Sequence, residues 1–286
     1  MPSDKQSKLK SLLNKLPKPP KTLVDLLCIG ISICAFSLFA ARIPELHNLY
    51  LREHVGSKVY KIQAVQNGGG GTGFQLKAPS GINYVVTNSH VCDHIAKVDS
   101  EENKGTALVV DDAGNAVRRR IVAISDETDL CILEGMPGVD GLSLGSEPSM
   151  GEEVTVVGHP HLRPLQLSKG EITGTQDVQI LDHVISTDNP FLAAMLNLDP
   201  NAKCDQPKNE IKTIDLDGFM GGKVVLCLVV TRDAYMTSVV IYPGNSGSPL
   251  INWYGNVIGV AFAADNSDNY GDVVNLTDIK DFLSHY

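Results

Sequence analysis

From Val59 onward the chain is a succession of short apolar, β-branched runs, each closed by turn residues: "KVYKIQAV", "GTGFQLKA", "NYVVTNSHV", "TALVVDD", "RRIVAIS" and "LCILEG". A second set follows in "EEVTVVGHP", "PLQLSKGEITGTQ", "KVVLCLVVT", "MTSVVIY", "SPLINWYG" and "NVIGVAFAA". Many short runs separated by turn signals are the pattern of all-β sandwiches and barrels. The 26 glycines, with aromatics at only 6%, suit a turn-rich globular chain. Residues 186–222 interrupt the pattern with a polar stretch that reads as irregular and contains "DPNAKCDQPKNE". The end, "NLTDIKDFLSHY", changes period: Ile279, Phe282 and Leu283 fall on one helical face, with Asn275 or Thr277 placed to cap it.

The first 58 residues are organised differently. Residues 1–21 hold six lysines against Asp4, so the excess of acid in the remainder is larger than the net charge of -9 shows. An acidic body argues against nucleic acid as a partner. Next comes "TLVDLLCIGISICAFSLFAA", residues 22–41, matching the roughly 20 apolar residues a membrane-spanning helix needs. A cleaved signal peptide is the competing reading, but a cut after Ala35-Phe36-Ser37 would fall inside the apolar run. The anchor reading gives a basic cytoplasmic tail (1–21), a single transmembrane helix (22–41), a stem (42–58) and an exported domain (59–286), periplasmic or extracellular. Cys28 and Cys34 lie in the apolar run. The other cysteines, Cys92, Cys131, Cys204 and Cys227, are even in number and exported, where bridges form.

Within "IYPGNSGSPL" a serine stands between glycines amid barrel-like sequence. A glycine two positions before a serine allows successive N–H groups to point into one small space, where they can meet a developing oxyanion. A polar turn is the plain alternative. Serine alone is a weak nucleophile, so the sharper reading needs a base and a group to orient it. His90 follows an apolar run in "VVTNSHVCDH". Asp129 stands at the entry to another, in "DETDLCILEG", where a buried carboxylate needs a partner.

Together these fragments resemble the trypsin/chymotrypsin-like serine proteases, particularly the HtrA-type branch, over about residues 59–286. That branch carries Thr-x-x-His-Val, Asp-Leu-x-x-Leu and Gly-Asn-Ser-Gly in this order, and the chain reads "TNSHV", "DLCIL" and "GNSGSP". "GTGF", "VVGHP" and "NVIGVAF" match as well. The order His, Asp, Ser separates this family from the α/β-hydrolases and subtilisins.

The resemblance implies two six-stranded antiparallel β-barrels of chymotrypsin type with a C-terminal helix, the site lying in the cleft between them. It implies His90, Asp129 and Ser246 as a catalytic triad, and the backbone amides of Gly244 and Ser246 as the oxyanion hole. No cofactor and no metal is implied; the partners are protein or peptide substrates and, through residues 22–41, a membrane. Base and orienter must be near each other, and Cys92 and Cys131 each follow one of them by two residues, so a Cys92–Cys131 bridge is expected. Cys204–Cys227 would then tie the insertion to a strand.

The resemblance also places the primary pocket at Val240 and Ile241, with Ala263 and Ala264 on the opposite wall. No acidic residue lies between Asp233 and Ser246, so aliphatic side chains are expected before the scissile bond. HtrA-type proteases usually carry a PDZ domain, for which residues 1–286 leave no room. The 186–222 insertion reads equally as a rim lid or exosite and as a disulfide-pinned surface loop.

Three other readings are set aside. His90, Cys92 and His94 invite zinc, but the glutamate that helical zinc proteases place beside the first histidine is missing. His159 and His161 in "GHPH" read as a turn, and "GGGGTGF" lacks the Lys-Ser/Thr of a phosphate loop. The rival from a different class is a protease-like domain that binds peptides without cleaving them.

Overall fold

A computed structural model describes residues 42–65, 69–98, 103, 105–187, 209–215, 223–265 and 270–286, the backbone alone at 98, 178–186, 209–212, 214–215, 226–233, 263–265 and 270. The apolar segment 22–41 and Cys204 lie outside the described residues, as does the side chain of Cys227. Among the described residues no helix is long and apolar enough to cross a membrane. The chain divides into two units at Tyr50/Leu51. In the first, residues 42–50 are helical and expose Ile43, Leu46 and Leu49. The second opens with two short helical turns, Leu51–Val55 and Gly56–Lys58, whose Leu51 and Val55 are buried.

The first barrel is β1 (Val59–Gln63), β2 (Gly70–Lys77), β3 (Asn83–Thr87), β4 (Thr106–Val110), β5 (Ala116–Ser125) and β6 (Leu130–Glu134), with helix α1 (Ser89–Val98) between β3 and β4. It closes in the order β1-β2-β3-β6-β5-β4, Lys61 pairing with Val110 at the seam. Side chains alternate across a strand, and β6 uses both faces. Cys131 and Leu133 fill the barrel interior with Tyr60, Ile62, Val85 and Val109, while α1 covers it through Val91, Cys92 and Ile95. Leu130 and Ile132 turn to a second cluster that also holds Val157, Ile251, Val260 and Phe262 of the second barrel. A strand buried on both sides reads as an unbroken apolar run, as "LCIL" does.

The second barrel comprises β7 (Glu153–Gly158), β8 (Gln166–Thr187), β10 (Lys223–Thr237), β11 (Pro249–Ile251), β12 (Val257–Asp265) and β13 (Tyr270–Val274), closed where Tyr235 of β10 pairs with Val273 of β13. β9 (Asn209–Asp215) adds a strand to the outer side of β10. The irregular structure expected across 186–222 is therefore corrected where that stretch is described. β8 runs on to Thr187, and Asn209–Asp215 pairs with Lys223–Val229. Asn209–Asp215 holds two apolar residues, Ile211 and Ile214, so its polar composition hides the strand.

Helix α2 (Leu276–Leu283) ends the chain as expected: the Asn275 side chain accepts from the Asp278 N–H at 2.8 Å, and Leu276, Ile279 and Leu283 are buried. Tyr235 and Glu147 brace its start: the two hydrogen-bond each other, and Glu147 accepts from Thr277 Oγ1 at 3.2 Å.

Candidate active site

His90 lies in the first turn of α1 and Asp129 immediately before β6, so adjoining strands β3 and β6 bring the two together. His90 Nδ1 stands 2.9 Å from Asp129 Oδ2 and 3.0 Å from Oδ1. Oδ1 also accepts from Ser89 Oγ at 3.0 Å and from the His90 N–H at 3.1 Å. A carboxylate that is 4% exposed thus has the donors its burial requires. Asp129 adopts φ +52, a left-handed conformation that aspartate tolerates better than most residues. Asn88 Nδ2 fixes its main chain, donating to the Asp129 carbonyl at 2.9 Å. With Nδ1–H given to the carboxylate, His90 Nε2 is left as the basic nitrogen. One turn along, the Asp93 carboxyl is pushed above its ordinary range, first by burial and then by Asp126.

Ser246 lies in the loop between β10 and β11. Its Oγ donates to the Phe262 carbonyl at 3.4 Å, and among the described residues it makes no hydrogen bond to His90. The loop is docked on the first barrel. The Thr72 N–H donates to the Ser246 carbonyl at 2.8 Å. A Cβ on Gly71 would come within 2.6 Å of that carbonyl oxygen and 2.8 Å of a Val91 methyl, so β2 keeps a bare backbone where the serine loop and α1 converge.

Within the loop, the N–H groups of Asn245, Gly247 and Ser248 donate to Tyr242, Ala261 and Asn245 carbonyls. Among the described residues, no acceptor meets the N–H groups of Gly244 and Ser246. Gly244 has φ +92, a conformation that glycine takes without strain.

The turn Pro160–Leu162 packs behind this loop, its His161 N–H donating to the Pro243 carbonyl at 2.6 Å. His159 is fully buried, with Nδ1 2.9 Å from the Arg163 carbonyl; burial lowers its pKa below the ordinary value of 6.5.

A sequence model for a trypsin-like peptidase domain matches residues 71–260, which contain His90, Asp129, Gly244 and Ser246. The chain belongs to the trypsin-like peptidase family. Over 231 residues this trypsin-like peptidase is 28% identical to "Protease Do-like 4, mitochondrial" of Arabidopsis thaliana, covering 77% of this chain and 32% of that protein. It thus spans about a third of that relative's length. Among solved structures it resembles the active form of the Rv3671c protease of M. tuberculosis, at 21% identity and TM-score 0.58, over 84% of this chain and 86% of that one. It also resembles the HtrA-type protease AlgW with a bound tripeptide, at 16% identity and TM-score 0.54, over 82% and 62% of the respective chains.

Several sequence-placed residues of this trypsin-like peptidase meet in the structure: His90 with Asp129, and Cys92 with Cys131 in a disulfide. The bridge engages Cys92 covalently, behind His90. Of the pocket residues, Val240 is 42% exposed whereas Ile241 is buried in the second barrel's interior cluster. Ala263 and Ala264 pair with Asp272 and Gly271, and their side chains lie outside the described residues. The supporting groups Thr72, Asn88 and Ser89 were not singled out by sequence, although each sits inside a quoted string, "GTGF" or "TNSHV", and His159 was read only as part of a turn.

Proposed function

We propose that the chain is a serine endopeptidase in which His90, Asp129 and Ser246 act together. The observation that carries this reading is the paired hydrogen bonding of His90 Nδ1 to the buried Asp129 carboxylate, beside a serine loop with two unengaged amides. Asp129 holds the tautomer that leaves Nε2 basic. A rotation about the Ser246 side chain releases Oγ from the Phe262 carbonyl and offers it to Nε2; such contacts are often loose before substrate binds.

Oγ then bonds to the amide carbon as its proton passes to His90, and the carbonyl oxygen takes the charge facing the Gly244 and Ser246 amides. Collapse breaks the C–N bond, and His90 returns the proton to the leaving amine. Water repeats the sequence on the acyl-enzyme and frees Ser246. Proteins or peptides are the substrates, with small to medium aliphatic side chains preferred before the scissile bond. Residues 22–41 anchor the enzyme as a single-pass protein and leave its catalytic domain on the exported side, the insertion lying within 186–222.

Labelling with a fluorophosphonate probe tests the chemistry. Wild-type protein should react at Ser246 and Ser246→Ala should not, while both unfold at similar temperatures. A folded wild-type protein that neither labels nor cleaves would instead be the peptide-binding domain.

A further inference from the structure

We propose that Thr72 is a positioning residue for the oxyanion site, its hydroxyl fixing the direction in which the Gly244 N–H waits. The inference rests on the proposed peptidase reading and goes beyond it, to a residue of the opposite barrel.

Thr72 lies on β2 and is fully buried. Its Oγ1 donates to the Gly244 carbonyl at 2.7 Å and accepts from the His159 N–H at 3.0 Å. A hydroxyl has one proton to give, so this pair of contacts is directional: the proton goes to Gly244 and a lone pair faces His159. Thr72's own carbonyl accepts from Thr87 Oγ1 at 2.7 Å, which fixes the strand behind it.

The consequence for Gly244 follows from peptide planarity. In a trans peptide the C=O and N–H point in opposite directions. The Pro243 carbonyl is taken by the His161 N–H at 2.6 Å, so the Gly244 N–H must face away from the Pro160–Leu162 turn. On its other side Gly244 offers its carbonyl to Thr72, while the Asn245 N–H is held by the Tyr242 carbonyl at 2.9 Å. Both peptides flanking Gly244 are therefore pinned. The Thr72 hydroxyl pins one directly and reaches the other through His159, two residues before the His161 N–H.

Glycine has no side chain to resist rotation. Without these contacts the peptide is free to turn its N–H out of the site. The main-chain bond from Thr72 N–H to the Ser246 carbonyl, at 2.8 Å, survives any change of side chain, so the hydroxyl can be tested separately from barrel docking.

The test compares wild type, Thr72→Val and Thr72→Ser in the full chain, using steady-state kinetics on an aliphatic peptide substrate and inhibition by the matching peptide aldehyde. The aldehyde's adduct with serine places an oxyanion in the same site. Thr72→Val keeps the shape and removes only the hydroxyl. We expect its kcat to fall about 10- to 100-fold, with KM within about threefold, since an oxyanion donor acts on the transition state more than on bound substrate. Aldehyde affinity should fall by a similar factor, and Thr72→Ser should stay within about threefold of wild type.

Wild-type kcat in Thr72→Val, or a loss borne by KM, would overturn the proposal. Thr72→Ala stands in should Thr72→Val not fold. Failure of both to fold would also overturn it, since Thr72 would then hold the barrels together and not aim one amide. Absence of turnover in the wild-type protein would instead remove the peptidase reading itself.

Discussion

Asn88 Nδ2 donates to the main-chain carbonyl of Asp129 at 2.9 Å, so the residue two before the proposed base holds the backbone of the residue proposed to orient it. The contact is fully buried on the Asn88 side. It steadies a left-handed Asp129 whose carboxylate must meet His90 Nδ1, the His90 N–H and Ser89 Oγ together.

Two substitutions separate the carboxylate from its support. Asp129→Asn keeps the size but places an amide where the carboxylate accepts Nδ1–H, which favours the wrong imidazole tautomer. Its kcat should fall on the order of 10⁴-fold with the fold intact. Asn88→Ala leaves the Asp129 carbonyl buried and unpaired, at a cost of about 1–3 kcal/mol in stability. Steady-state kinetics and urea titration of both variants check these outcomes. Activity of Asp129→Asn within tenfold of wild type would remove Asp129 from its proposed role.

The Cys92–Cys131 bridge joins the base and orienter segments across a sequence separation of 39. Closing a loop of that length restricts the unfolded chain and stabilises the fold by roughly 4 kcal/mol in the chain-entropy model. Both sulfurs lie in the first barrel's interior, so Cys92→Ala with Cys131→Ala also leaves a small void. Denaturant unfolding with and without reductant should show a loss of about that size in wild type and none in the double variant. Equal stability in both redox states would mean that the bridge constrains nothing the fold does not already fix.

His159 carries a pH prediction. Burial is the main cause of its lowered pKa; Lys61 acts the same way, while the Arg163 and Val59 backbone contacts and Asp112 oppose it. Protonation therefore favours the unfolded chain. The stability that neutral His159 contributes is complete above the ordinary value of 6.5 and is lost as the pH falls below it. His159→Asn offers a donor near the position of Nδ1 and cannot become charged. Between pH 7.5 and 5 the wild-type melting temperature should fall further than that of the variant. Parallel curves would show that His159 is not the group being titrated.

The barrels and the proposed site residues stand out in the sequence for different physical reasons. β6 was legible because a strand buried on both faces must be apolar throughout. Ser246 was legible because a serine flanked by glycines interrupts such a pattern. Helix α1 escaped, since "NYVVTNSHV" runs on as an apolar strand and only the spacing of Val91, Cys92 and Ile95 marks the turn to helical period. β9 escaped behind polar composition. The role of Thr72 depends on partners 87 and 172 residues away, and no local pattern encodes a contact of that reach.

The final prediction concerns the side chain before the scissile bond. Residues 234–245 contain no acid, and Val240, six before Ser246, is 42% exposed while its neighbour Ile241 is turned into the barrel. A pocket for arginine or lysine needs a buried carboxylate, because an unpaired cation there carries a heavy desolvation cost. The buried acid on the adjoining strand is Asp272, the register partner of Ala263, and it already accepts from Gln176 Nε2 at 2.8 Å. With no acid among residues 234–245, the pocket should favour valine, leucine or alanine. Each methylene gained or lost is worth only about 1–3 kcal/mol, so the preference should be graded and not absolute. Introducing a charge in the pocket, as Val240→Asp, should lower aliphatic cleavage and raise cleavage after lysine or arginine from a negligible base. Profiling wild type and Val240→Asp against one peptide library measures both effects, and dominant cleavage after basic residues by the wild-type protein would refute this assignment of the pocket.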